Sequence, residues 1–186
     1  MHRLIAAAAV AAACTPKAAA IRPPIGVPPT RIEPAPAIET EVVEWHAGRE
    51  RVLARTLTMD ASTWPIPTSR IWFVRPAHRD LPAIELAIFV GRAVALGVAG
   101  ISLANCEAAT DSTIAIPLAS RPAALTFVDL SNTSITDGAL RSLAALPNLE
   151  HAWLSGTRIT DASLAQLSTV SSVTSVRVDE IGRAHV

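Results

Sequence analysis

Residues able to do covalent or metal chemistry are few in this chain. It has two cysteines and five histidines. A metal site needs donors at spacings such as CxxC or HxxxH, which bring them around one ion. His2, His46, His78, His151 and His185 show no such spacing, and Cys14 and Cys106 lie far apart. A nucleophilic cysteine needs a neighbouring base or cation to lower its pKa. Glu107, next to Cys106, would raise it, so the residue types favour a buried structural thiol. There is no GxSxG or Walker loop, and Gly91, Gly97 and Gly100 have the wrong spacing for a dinucleotide loop. The parts of a Ser-His-Asp triad need not be adjacent in sequence, and nothing in this chain favours one. Neither a cofactor nor catalysis is expected.

Cys14 invites a different chemistry. It directly follows a ten-residue apolar run, Leu4 to Ala13, behind the short polar start His2-Arg3. Such a run is too short to span a bilayer as a helix but suits the core of an export signal. Ala11-Ala12-Ala13-Cys14 resembles a bacterial lipobox, in which the cysteine is acylated and becomes the new N-terminus. Ordinary cleavage after Ala13 or Ala20 is the rival, and an uncleaved Ala-rich helix is the third reading. The expected organisation is a signal peptide over 1–13, then a lipid-anchor Cys and proline-rich disordered linker over 14–40. Pro16, Pro23, Pro24, Pro28, Pro29, Pro34 and Pro36 block helix and sheet there. Extended at ~3.1 Å per residue, such a spacer reaches roughly 80 Å. The expected location is outside the cytoplasm, as an envelope lipoprotein or a periplasmic or secreted protein.

Sixteen basic residues balance sixteen acidic ones, and lysine occurs once, at Lys17. A nucleic-acid binder normally carries a basic patch, so no nucleic-acid partner is expected. The abundance of arginine over lysine is read as codon bias.

The elements that would position any site begin near residue 41. Val42, Val43 and Trp45 fit either a strand or a helix, and Arg51–Met59 alternates loosely. Ile71-Trp72-Phe73-Val74 is β-branched and aromatic and stops at Pro76, as a strand would. Residues 80–96 read as a helix, with Asp80 as its cap, Pro82 in its first turn and Gly97 at its end. The stretch from Leu86 to Leu103 is apolar enough to suggest a membrane span. Arg92 in its middle would cost at least ~2.5 kcal/mol there, so a buried helix followed by a strand is the reading. Residues 41–97 are assigned to an N-terminal cap.

Beyond the cap the chain repeats itself. VDLSNTSITDGALRSLAALPNLEHA from Val128 aligns with AWLSGTRITDASLAQLSTVSSVTSV from Ala152. The shift puts Leu130 on Leu154, Thr133 on Thr157, Ile135 on Ile159 and Asp137 on Asp161. It also puts Leu140 on Leu164, Leu143 on Leu167, Leu146 on Val170 and Leu149 on Val173. Upstream, Leu103-Ala104-Asn105-Cys106 and Thr110-Asp111 form a third copy. The apolar sets Val98/Ile101/Leu103, Leu125/Val128/Leu130, Leu149/Ala152/Leu154 and Val173/Val176/Val178 should face inward and stack coil on coil. Ile71 and Val74 mark a degenerate earlier strand. Thr133 and Thr157 should bond backbone groups freed at the turn. Ile135 and Ile159 should pack into the core, and Asp137 and Asp161 should cap the following helix.

These motifs resemble leucine-rich repeats of bacterial proteins and the cysteine-containing repeats found beside F-boxes. Cys106 stands in the cysteine slot of the latter, Ala109-Thr110-Asp111 in place of Ile-Thr-Asp, and Leu146-Pro147-Asn148-Leu149 in place of Cys-Pro-x-Leu. No F-box is visible. The resemblance implies an α/β fold: a short leucine-rich-repeat solenoid over 98–186, parallel strands on the concave face, helices on the convex face, plus the cap.

Residues between the inward triplets should point onto the concave face. One row is Ser102, Asp129, Trp153 and Arg177; the next is Gly100, Phe127, His151 and Ser175. Phe127, Asp129, His151, Trp153 and Arg177 should therefore form one contiguous, exposed patch that binds a protein partner. The bland reading has Trp153 and Phe127 packed on each other or on the cap. Other expectations are membrane attachment through acylated Cys14 and homo-oligomers through an open C-terminal repeat edge, since solenoid ends need shielding. A purely structural, self-assembling protein is the main alternative. An envelope hydrolase with a catalytic cap is the weakest, for want of a recognisable constellation.

Overall fold

The chain divides into two units, Met1–Pro34 and Ala35–Val186. The computed structural model describes residues 37–57, 59–65, 67–167 and 172–178, all in the second unit. The expected signal peptide, Cys14 and most of the linker lie outside the described residues, as do 179–186. The folded part starts before the expected linker boundary at 40, because Ile38 is buried and Thr40 opens the first strand.

The fold is α/β: seven strands in one open, mostly parallel sheet, with four helices. Strands β1 (Thr40–His46), β2 (Arg49–Thr56) and β3 (Ile71–Pro76) form the antiparallel end. Ala47 and Gly48, both at positive φ, make the tight turn between β1 and β2. So Val42, Val43 and Trp45 are strand. The expected strand at Ile71–Val74 is β3 and lies beside β1.

From β3 onward the pairing is parallel. Helix α1 (Ala83–Ala95) leads to β4 (Gly100–Ser102), α2 (Asp111–Leu118) to β5 (Phe127–Asp129), α3 (Asp137–Ala144) to β6 (His151–Trp153), and α4 (Asp161–Leu167) to β7 (Ser175–Arg177). The strand order is β2-β1-β3-β4-β5-β6-β7. Val74 registers on Ile101, Ile101 on Val128, Val128 on Ala152 and Ala152 on Val176.

Those registered residues lie on the helix side. Val74, Ile101, Val128 and Ala152 join Leu86, Phe89, Ile114, Leu140, Leu143 and Leu167 of the four helices in one core, with Val176 packed against it. Leu130, Leu154, Ile135 and Ile159 are fully buried there. Burial of apolar surface on this scale is the dominant favourable term for such a sheet-on-helix layer.

Helix boundaries follow local chemistry. Asp80 does not cap α1; Pro82 occupies the N-cap position, where no helical N–H bond is lost, and Gly97 at φ +68° ends the helix. Among the described residues no helix is long and apolar enough to cross a membrane.

The aspartates after the turns do something other than expected. Thr136, not Asp137, caps α3: its Oγ1 accepts from Gly138 N–H at 3.3 Å. Asp137 reaches the next coil, where its Oδ1 accepts from Thr160 N–H at 2.8 Å and its Oδ2 from the Thr160 hydroxyl at 3.0 Å. Asp111 makes the same link one coil earlier, accepting Thr136 N–H at 2.8 Å. Gly138 leaves room for that carboxylate, since a Cβ there would lie 2.5 Å from Asp111 Oδ2. In α2 and α3 the first helical residue is therefore a strut to the next strand–helix unit.

The threonines behave as expected. Thr133 and Thr157 hydroxyls donate to the Leu130 and Leu154 carbonyls at 2.6 and 2.7 Å. A second strut is an amide pair, with Asn132 Nδ2 donating to Asn105 Oδ1 at 3.0 Å. Asn105, Asn132 and Gly156 all adopt positive φ, the left-handed turn that asparagine and glycine tolerate.

Candidate functional site

Side chains of the opposite sheet face form a second, smaller cluster containing no helix residue. Val43, Phe73, Phe127 and Trp153 are its buried members, with Trp45 and Ile71 packed against them. Phe73 and Phe127 stack with centroids 5.0 Å apart; Phe127 meets Trp153 edge-on at 4.9 Å, and Trp153 meets Trp45 at 4.7 Å.

The last contact reports the shape of the sheet. Neighbouring strands lie ~4.8 Å apart, so β1 and β6, four spacings apart in the order, would be roughly 19 Å apart if the sheet were flat. Two indoles cannot bridge that gap. The sheet therefore curls until side chains of the antiparallel end meet those of β6. An ion pair between Arg70, just before β3, and Glu150, just before β6, joins the same two parts of the sheet at 3.1 Å.

Gly100 permits the stacking. It sits between Phe73 and Phe127, and a Cβ on it would lie 2.5 Å from the Trp72 carbonyl oxygen and 3.0 Å from the Phe127 ring. Only a residue without a side chain lets the two rings meet across β4.

The five expected binding residues are contiguous by register. Phe127 pairs with His151, Asp129 with Trp153, and Trp153 with Arg177. Their exposure differs from expectation. Phe127 is 1%, Asp129 3% and Trp153 8% exposed, so three of the five are interior. The rings are covered by one another and by the cap because the curl closes over them. His151 is half-buried and Arg177 is exposed. The accessible part of the patch is thus its rim.

Arg177 carries the rim. Its guanidinium lies 4.3 Å from the centre of the Trp153 ring and 5.7 Å from that of Trp45. Cation–π contacts at such distances contribute ~0.5–1 kcal/mol at exposed sites. Trp45 was not singled out in the sequence, since a cap residue gives no sign of meeting a strand so far along the chain.

Asp129 is a buried carboxylate on this face. Its Oδ1 accepts Ser131 N–H at 3.0 Å and its Oδ2 the Ser102 hydroxyl at 3.1 Å. Burial pushes its pKa up, those hydrogen bonds pull the other way, and Glu50 adds to the rise. The net direction is upward. Toward the cap the face becomes an ion network that sequence reading missed altogether. Glu41 accepts from Arg55 and, at 2.7 Å, from Arg75 Nε, while Arg75 also reaches Glu50. Burial would raise the Glu41 pKa, but the two arginines hold it below the usual carboxylate range.

No protein-family model, curated protein or solved structure matches this chain. The arrangement must be read from its own chemistry. Among the described residues no group of His, Cys, Asp and Glu could hold a metal ion. Cys106 is buried on the helix side, where burial pushes its thiol pKa up and Arg79 only partly offsets this. That favours the protonated thiol, which is a poor nucleophile. A cleft of about 460 Å³ beside it is lined by Arg79, Asp80, Leu81, Asn105, Glu107 and Ala108, mixed charges with no acid–base pair in contact. The open face offers recognition chemistry: a cation fixed on aromatic rings, with a histidine on the neighbouring strand.

Proposed function

We propose that β3 to β7 and their helices form a short leucine-rich-repeat solenoid, and that its concave face holds a protein partner at the rim formed by Trp45, His151 and Arg177. The single observation that carries this reading is the Arg177 guanidinium lying over the Trp153 and Trp45 rings at the open side of the sheet. Arginine and tryptophan are the types most enriched at binding hot spots, and a hot spot works best when its side chains are held in place beforehand. The parallel register and the recurring Asp–Thr struts support the solenoid part of the reading. The protein is then a binding module and not an enzyme.

Position-specific photo-crosslinking tests the face. A crosslinker at the exposed Ser175 should capture a partner that one at Ile116, exposed on α2, does not. Equal capture from both positions, or capture from Ile116 alone, would overturn the assignment. The edge position of β7 among the described strands favours a second reading, self-association through that edge. Sedimentation showing dimers that vanish on deleting residues 171–186 would select it. Export and acylation of Cys14 complete the proposal, and the mass of the mature N-terminus decides them.

A further inference from the structure

We infer that Arg177 is a pre-ordered receptor for a carboxylate, so that the segment taken up at the rim is acidic. The inference rests on the reading of the concave face as the binding surface and adds the chemistry of what binds.

The Arg177 guanidinium carbon lies over the Trp153 ring, 4.3 Å from its centre, and 5.7 Å from that of Trp45. Neither ring accepts N–H groups as a carboxylate does, and the guanidinium fork matches a carboxylate in bidentate geometry. Among the described residues no acceptor pairs with it. The carboxylate in the same row, Asp129, is interior and directed to Ser102 and Ser131, with the Trp153 strand between it and Arg177. The other carboxylate at this rim, Glu150, faces Arg70 at 3.1 Å and lies 3.9 Å from His151 Nε2. Among the described residues the acids here are already engaged, while Arg177 is exposed beside the exposed Ser175 and the half-buried His151.

Charge complementarity therefore selects an anion. Pinning matters as much as charge. A free arginine loses rotamer freedom when it binds, whereas one already held over an aromatic pair has less to lose. Arg121, Arg141 and Arg158 are also exposed, and among the described residues no ring lies against them. A second basic rim residue would add strength without adding this pre-ordering.

The test uses the full chain and a labelled, end-blocked tetraglutamate peptide, with tetralysine as its counterpart, read by fluorescence anisotropy. Tetraglutamate should bind and tetralysine should not, and added salt should weaken the complex. Arg177→Lys keeps the positive charge but loses the fork. It should weaken tetraglutamate binding roughly tenfold, as should Arg177→Ala, while Arg141→Ala on α3 leaves it unchanged. Far-UV circular dichroism confirms that each variant is folded. Equal affinity for the two peptides, or equal weakening by Arg141→Ala, would overturn the inference. If tetraglutamate fails to bind while Ser175 still crosslinks a partner, the acidic assignment falls alone and the face remains the binding surface.

Discussion

The two faces of the sheet are built on different rules. On the helix side successive strand–helix units contribute the same kind of residue to one core: Ile101, Val128 and Ala152 in register, with Leu130, Leu154, Ile135 and Ile159 beside them. Contacts there join nearest neighbours. On the open side residues of different kinds meet across long stretches of chain. Phe73 of β3 stacks on Phe127 of β5, and Trp45 of β1 touches Trp153 of β6. The first core holds adjacent coils together; the second holds the antiparallel end to the far coils, and so fixes the curvature of the whole sheet.

Phe127→Ala breaks the comparison most severely. It should cost ~3–5 kcal/mol in urea unfolding, as much as Leu130→Ala on the helix side at ~2–5 kcal/mol, although no helix covers Phe127. A loss below about 1 kcal/mol would mean the open-face cluster is ornamental to stability. Gly100→Ala comes next. The added methyl would meet the Trp72 carbonyl at 2.5 Å, the Phe73 Cβ at 2.8 Å and the Phe127 ring at 3.0 Å, and overpacking of this kind costs ~1–3 kcal/mol. Near-ultraviolet circular dichroism should lose the coupled aromatic signal even where the far-ultraviolet spectrum is kept. Thr133→Val probes the helix side at a single bond. It leaves the buried Leu130 carbonyl without the hydroxyl it accepts from, a loss of ~1 kcal/mol by thermal unfolding.

Asp129→Asn should act in the opposite direction. The folded pKa of Asp129 lies above its ordinary value, so the folded chain holds this proton more tightly than the unfolded chain does. Stability therefore falls as pH rises from the ordinary aspartate range through the folded value, and stays reduced above it. The asparagine does not titrate. Its variant should be more stable than the parent at neutral pH, and the gain should disappear once the pH drops below the ordinary aspartate range. A variant less stable than the parent at neutral pH would show that the charge of Asp129 is needed where it sits.

The same contrast explains what the sequence could disclose. The helix-side core was legible because a period in the chain becomes a stack in space, and Leu130, Ile135, Leu140 and their equivalents each land where the spacing puts them. The turn threonines were legible for the same reason. The open face was legible only as rows: register places Phe127 by His151 and Trp153 by Arg177, but it does not say how far the sheet curls. Curl decided that Phe127 and Trp153 would be interior, and it brought in Trp45 and Ile71, which no period connects to them. The aspartates misled because a helix N-terminus and a neighbouring coil both offer N–H groups. Thr136 holds the N-cap position, from which its hydroxyl meets Gly138 N–H, whereas Asp137 is already the first helical residue and its carboxylate reaches Thr160 instead.

The struts at the turns have a consequence for length. The bonds that tie one coil to the next run from Asp111 to Thr136 and from Asp137 to Thr160, and an Asn105–Asn132 pair accompanies the first. At Gly156 the Asn132 carboxamide already fills the space a Cβ would need. Copying the twenty-four-residue block from Val128 to His151 in tandem would set asparagine on asparagine and aspartate before threonine at each new seam. Each new seam would require the Asn132 carboxamide to leave the space it fills beside Gly156 and turn to its new neighbour, as the Asn105 carboxamide already meets Asn132.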